Sequence, residues 1–432
     1  MAVYGLVMRA LQPMLRRKLQ RRGQQEPGYL HQVSQRFGVY DTPVTAGAVW
    51  VHAVSLGETR AAALLVHALR QQMPGMRLLL THSTATGWAQ GQALLQPGDV
   101  QAWLPWDTPE ATRRFLQHHQ PRCGVLMETE VWPSLVQACR AQGVPLFLAN
   151  ARLNDKSCRS AQRWAWLSGP AYRGLSAVLA QSPADAERLR ALGARVDAVL
   201  GNLKFDVQPQ PEAQASAQIW RNQWSSKGQP RPVIMLASTR EGEEALWLDA
   251  LAADVPRLQA FAEARVLWLL VPRHPQRFDE VHQLVTSKGW SVFRRSALPT
   301  DGAWPAESMD AQVWLGDSLG EMPQYFHAAD MALLGGSFMP LGGQNLIEAA
   351  AFGCPIIMGP HTFNFAEASE QALAVGAAQR VADMDGALDQ ALAWLNDRAA
   401  LAQAQQAGLE MVAQGRGAAE RYAQAIGSMI DL

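Results

Sequence analysis

Short apolar runs alternate along this chain with longer amphipathic stretches, and few folds tolerate that rhythm. AVWVHAV at 48–54 leads into a helical pattern from Glu58 to Gln72, and RLLLTHS at 77–83 leads into another from about Thr86. VQAWLPW at 100–106, CGVLME at 123–128, PLFLANA at 145–151 and AVLAQS at 177–182 continue it, each followed by a helical stretch. Strand then helix, repeated with short turns, builds a parallel sheet covered by helices on both faces. Between 206 and 232 the rhythm stops around Pro209, Pro211, Gly228, Pro230 and Pro232, the turn and linker residues expected at a domain boundary. It resumes with PVIMLAS at 232–238, RVLWLLVPR at 265–273, AQVWLGD at 311–317, DMALLGG at 330–336 and PIIMGP at 355–360, and residues 384–430 read as wholly helical. The expected fold is therefore α/β, with two doubly wound Rossmann-like domains, 31–206 and 232–432, joined by a linker at 207–231. The terminal helix is free to pack back on the first domain. Such halves bind ligands in the cleft at the carboxyl ends of their strands.

Composition fits two large cores, since 48% of the 432 residues are hydrophobic and only 18% charged. The 38 Lys and Arg balance the 38 Asp and Glu, which argues against nucleic acid as a partner. The balance is uneven along the chain. Residues 1–22 carry Arg9, Arg16, Arg17, Lys18, Arg21 and Arg22 and no acid, so the remainder is net acidic by the same six charges. Within this leader, 1–30, Val3, Leu6, Val7, Ala10, Leu11, Met14 and Leu15 are apolar, but Arg9 and Pro13 interrupt any run long enough to span a bilayer. Two readings stand: a helix lying on an anionic membrane surface, or a basic helix packed on its own domain. Cys123, Cys139, Cys158 and Cys354 lack metal-binding spacing and sit among apolar neighbours, as reduced core residues do. His118, His119 and Cys123 give no convincing ligand set, and no metal site is assigned.

Polar residues gather just after the strands. In VHAVSLGETRAA, Gly57 permits a tight turn and Glu58 opens a helix, where its carboxylate could take a proton from an attacking hydroxyl. Ser55 and Glu58 equally fit a capping box, in which the glutamate serves only the helix. METEVWPSL places Glu128 and Glu130 two residues apart, so that on an extended segment they point the same way and repel each other. The competing reading is a helix start with Pro133 in its first turn. NARLNDKS at 150–157 and GNLKFD at 201–206 follow further strands, and Lys204 suits an anionic partner or is an ordinary surface lysine.

The second half has neither a P-loop nor a GxGxxG. ASTREGEE puts Ser238 and Thr239 at an expected helix start, where backbone amides can hold phosphate. VPRHP places Arg273 and His274 at a strand end, suited to phosphate contacts. In GGSFMPLGGQNLIEAAAFG, Gly336 permits close backbone approach beside Ser337, Asn345 can cap a helix, and Glu348 can accept hydrogen bonds from ribose hydroxyls. Core packing alone would account for Leu346, Ile347 and Ala349 to Ala351.

Taken in order, VHAVSLGE, METEVWP, NARL, GNLKFD, VPRHPQRF, GDSLGEM, the GGS and GGQN segment and MGPHTFNF resemble the 3-deoxy-D-manno-oct-2-ulosonic acid (Kdo) transferase family of lipopolysaccharide synthesis, from about residue 48 to 370. The basic leader followed by PGY at 27–29 resembles that family's membrane-proximal segment. The resemblance implies a glycosyltransferase-B fold and transfer of Kdo from CMP-Kdo to a hydroxyl of a lipid A precursor, with CMP leaving by an inverting, metal-independent displacement. It also implies a location on the cytoplasmic face of the bacterial inner membrane. It assigns Glu58 as general base and Glu130, with Glu128, to the acceptor or donor site. Lys204, Ser238, Thr239, Arg273, His274, Gly336, Ser337, Asn345 and Glu348 would hold the donor, and no further cofactor is expected. Two positions depart from the family pattern: Gln344 stands where a histidine is usual and Ala349 where a proline is usual. An amide cannot titrate, so proton transfer at Gln344 is not expected. The rival readings are another glycosyltransferase or a sugar-nucleotide epimerase of the same fold using a UDP-sugar, and an inactive membrane-surface scaffold.

Overall fold

The computed structural model describes residues 2–44, 46–207, 210–225, 230–299 and 304–430. The chain divides into two compact units, 1–206 with 417–432, and 207–416. Each holds one seven-stranded sheet in which every pairing is parallel.

In the first unit the strands are β1 (Val49–His52), β2 (Leu78–His82), β3 (Val100–Trp103), β4 (Cys123–Met127), β5 (Leu146–Ala151), β6 (Ala177–Ala180) and β7 (Val196–Val199), in the order β3-β2-β1-β4-β5-β6-β7. The central strands are buried along their whole length, which is why they read as continuous apolar runs. Trp50 packs edge-on against Phe115 beneath one face, and Leu65, Val125 and Tyr422 share the core on the other. The order reverses between β1 and β4, so the loops after these two strands open the crevice in which such sheets bind ligands.

The second unit contains β8 (Val233–Thr239), β9 (Leu267–Pro272), β10 (Val292–Arg294), β11 (Val313–Leu315), β12 (Met331–Leu334), β13 (Ile356–Met358) and β14 (Ala378–Arg380), in the order β10-β11-β9-β8-β12-β13-β14. Its reversal lies between β8 and β12. Trp268 meets Trp247 and Phe261 in its core.

Three parts of the sequence-based picture change. Strands β7, β10 and β14 were not expected; each is an edge strand of three or four residues with polar or half-exposed positions, so no apolar run marks it. The expected linker carries a helix, Pro211–Trp224, whose Trp220 and Trp224 are buried against Trp314 within the second unit. Pro209 and Gly228 of that stretch lie outside the described residues. Residues 384–430 are three helices, Met384–Asn396, Arg398–Gly415 and Ala418–Ile430, interrupted at Asp397 and at Arg416 and Gly417. The last belongs to the first unit, where the Asp206 carboxylate accepts the Gly417 and Ala419 N–H groups, both at 2.6 Å. Tyr422 donates there to the carbonyls of Gly201 and Ala180. Removing this cap with Asp206→Ala should cost about 1–2 kcal/mol, read as a lower urea midpoint with unchanged slope; an unchanged midpoint would discount the cap.

The leader is one helix, Ala2–Gln25, that passes through Pro13. Its inner side packs on the first unit: Tyr4 donates to Asp107 at 2.8 Å, Leu19 is buried, and Arg16 lies over the Phe37 ring. Its outer side exposes Val3, Leu6, Val7 and Met14. The helix therefore packs on its own domain, as the second reading expects, and leaves an apolar outer side exposed. No described helix is long and apolar enough to cross a membrane.

Candidate active site

The reversal point of the first unit gathers Glu58, Glu128, Glu130, Arg152 and Lys204. After β1, Ser55 N-caps the helix Leu56–Gln72 and accepts from the Glu58 N–H at 3.4 Å, while Glu58 folds back so that its Oε2 accepts the Val54 N–H at 2.8 Å. The capping geometry is thus present. Gly57 lies inside the first turn of this helix rather than in a tight turn before it, and a Cβ there would meet nothing within 4 Å. Burial, then the Glu128 charge, pushes the Glu58 carboxyl up to about 8, with a smaller push from Glu130; the Val54 hydrogen bond and Lys204 oppose it. A carboxyl poised there exchanges protons readily near neutral pH, as a general base must.

Glu128 follows β4 with φ +56°, so the extended geometry that would have aligned it with Glu130 does not hold. Its side chain, 2% exposed, accepts from Arg152 Nε at 2.6 Å and Lys204 Nζ at 2.7 Å. Burial raises this carboxyl, but Lys204 and Arg152 outweigh it and hold it below the usual carboxylate range. Glu130 takes the opposite direction, raised mainly by burial although it accepts from Trp132 Nε1 at 2.9 Å. The following helix starts at Pro133, so neither glutamate belongs to it. Asn150, at the end of β5, also has a positive φ, +52°, and its Oδ1 accepts the Leu203 N–H at 3.0 Å, which fixes the loop bearing Lys204. Left-handed non-glycine residues cost about 1–3 kcal/mol each and persist where the surroundings hold them, commonly at functional sites. Arg152 was not singled out in the sequence; its only signal was its place in NARL, directly after a strand.

In the second unit Ser238 and Thr239 close β8 instead of opening a helix, which starts four residues later at Glu243. Ser238 has φ +59°. Gly335 is required beside it, since a Cβ there would fall 2.2 Å from the Ser238 carbonyl oxygen. Thr239 donates to the buried Glu244 at 2.6 Å, and Arg277 grips that carboxylate through both terminal nitrogens at 2.9 and 2.8 Å. The amides expected to be open for phosphate already have an occupant, because Glu243 accepts the N–H groups of Arg240, Gly336 and Phe338 at 2.8, 2.7 and 3.1 Å. Glu243, Glu244 and Arg277 were all missed, since charged residues at a helix start carry no mark of burial. Ser337 is fully buried, donating to the Leu334 carbonyl and accepting from the Gly359 N–H, so it ties loops together and does not line an open surface. Arg273 and His274 follow β9, with the Arg273 N–H donating to Thr239 O at 3.0 Å. Burial, then Arg240 and Arg273, lowers the His274 imidazole, with Glu241 opposing, which favours the neutral ring. Asn345 caps the short helix Leu346–Ala351 by accepting from Ile347 N, and the half-buried Glu348 lies in its first turn. Among the described residues no three His, Cys, Asp or Glu side chains cluster as metal ligands.

Residues 31–207 match the family described as 3-deoxy-D-manno-octulosonic-acid transferase (kdotransferase). A 3-deoxy-D-manno-octulosonic acid transferase of Bordetella pertussis is 47% identical over 98% of this chain and 98% of its own, and one of Haemophilus influenzae is 34% identical over 91% and 90%. Among solved structures, S. aureus MnaA with UDP superposes with a TM-score of 0.59 over 89% of this chain and 97% of its own, at 15% identity, a likeness of fold alone. The fold is glycosyltransferase-B, and the epimerase and UDP-sugar alternatives have only this likeness of fold behind them. With a near half-identical relative matched from end to end, this chain belongs to the 3-deoxy-D-manno-octulosonic acid transferase family, a family of glycosyltransferases.

Proposed function

We propose that this glycosyltransferase moves Kdo from CMP-Kdo to a hydroxyl of a lipid A precursor, lipid IVA, with inversion and without a metal ion. The observation that carries the reading is Glu58, a carboxyl at the reversal point of the first sheet held near proton-exchange range by burial and by Glu128. Glu58 takes the acceptor hydroxyl proton as that oxygen bonds to the anomeric carbon, and the bond to CMP breaks with its electron pair leaving on the phosphate. One base and one displacement invert the centre. Glu128 and Glu130 shape the acceptor side, and Lys204 with Arg152 offers cationic edges to the donor carboxylate while Glu128 holds both in place. Arg273 and His274, together with Ser238, Thr239, Gly336, Asn345 and Glu348, receive the nucleotide, where the Arg273 guanidinium favours the leaving phosphate. The exposed outer face of the leader helix rests on the anionic cytoplasmic face of the inner membrane.

The test is CMP release from CMP-Kdo in the presence of lipid IVA, with Glu58→Ala in parallel; an inactive wild type defeats the reading. Activity in excess EDTA should stay within about twofold of the untreated enzyme, because side chains do the charge compensation. A tenfold loss restored by Mg²⁺ would overturn metal independence.

A further inference from the structure

We infer that the helix pair Asp155–Arg163 and Ala165–Arg173 forms a second membrane-contact surface, separate from the leader, that fits an anionic phospholipid bilayer. From Lys156 to Arg173 the chain carries four basic residues and no acid. Lys156, Arg159 and Arg163, spaced three and four apart, share the solvent face of the first helix, while Cys158 on its opposite side is buried in the core. At the corner between the helices Trp164 and Trp166 are 59% and 55% exposed, with ring centroids 6.3 Å apart. Two neighbouring exposed tryptophans in a chain that buries Trp50, Trp103, Trp224, Trp247, Trp268 and Trp314 call for a partner. Indole rings prefer the headgroup level of a bilayer, and a basic stripe beside them supplies the complementary charge.

The location suits the chemistry. The first helix begins three residues after Arg152, at the sheet edge where Glu128 lies, and the second packs on the helix Pro133–Ala141, whose first N–H groups are held by Asp107, the residue that also binds Tyr4 of the leader. Both surfaces thus flank the carboxyl edge of the first sheet. The inference rests on the proposed lipid acceptor for its purpose, but its binding test does not.

The experiment uses the full chain with sedimented vesicles of phosphatidylcholine alone or with phosphatidylglycerol. Arg159→Gln with Arg163→Gln should weaken binding to the anionic vesicles about thirtyfold, and Trp164→Ala with Trp166→Ala should weaken it on both compositions. Circular dichroism unchanged from wild type will show that these exposed substitutions leave the fold intact. Turnover with detergent-dispersed acceptor should be unaltered, whereas turnover with vesicle-borne acceptor falls. Unchanged vesicle binding by both variants overturns the inference. So does concentration-dependent self-association of the wild type that the tryptophan variant abolishes, which would assign the surface to a second copy of the chain. An enzyme that binds vesicles as expected but is inactive in detergent would instead fault the proposed reaction.

Discussion

Glu58→Gln is expected to lower turnover by about 10²–10⁴-fold with little change in the donor KM, the range lost when a general base is removed. The same substitution should make the protein more stable at alkaline pH, and the two effects have one cause. In the folded chain this carboxyl is raised from an ordinary 4.5 to about 8, first by burial and then by Glu128. A raised folded value means that the favourable contribution is complete below about 4.5 and is lost as pH rises through about 8, when the carboxylate must ionise beside other carboxylates. Glutamine mimics the protonated acid and can still accept the Val54 N–H. The variant should therefore match wild type near pH 4.5 and exceed it above pH 8 by on the order of 5 kcal/mol. The wild-type kcat/KM should rise with pH to a plateau above about 8, whereas the residual activity of the variant should be flat. Turnover within tenfold of wild type would remove Glu58 from the base role, and equal stability at both pH values would show that its carboxyl is not destabilised by the fold.

The two sequence readings of Glu58 do not exclude each other. Spacing alone left a capping box and a catalytic carboxylate as alternatives; the folded-back side chain caps the turn through Val54, and that same bond opposes the upward push on the carboxyl. Strand-end placement of Glu58, Glu128, Lys204, Arg273 and His274 was legible because α/β chains put polar residues after apolar runs. Which strand ends are neighbours was not. That β4 lies beside β1, and so brings Glu128 close enough to act on Glu58 across 70 positions of sequence, is a matter of strand order, which local pattern does not encode. Nor does pattern reveal that a carboxylate, Glu243, occupies the amides of a glycine-rich loop. Short edge strands escaped for the same reason that central ones were plain: only strands covered on both faces need an unbroken apolar run.

The largest loss of stability in the second unit should come from Glu244. Its carboxylate is wholly buried, binds Arg277 through both oxygens and accepts the Thr239 hydroxyl at the end of β8. Burial alone would pull the guanidinium down, but Glu244 outweighs it and raises it, so each charge is tolerated only because of the other. Glu244→Met leaves a buried cation and an unpaired hydroxyl, and removing one partner of such a pair costs about 3–5 kcal/mol. Arg277→Met should cost a similar amount by stranding the carboxylate. The combined variant, Glu244→Met with Arg277→Met, removes both desolvated charges together and should recover most of the loss, since apolar groups of similar size replace buried pairs at little cost. Urea unfolding of the three variants therefore forms a double-mutant cycle with a coupling of at least about 2 kcal/mol. The combined variant separates fold from function: it restores the core but not the hydroxyl bond that fixes Thr239, so its donor KM should stay raised while its urea midpoint returns toward wild type. If the two single losses simply add, the pair is two independent surface-like charges and the positioning of β8 must rest on Glu243 alone.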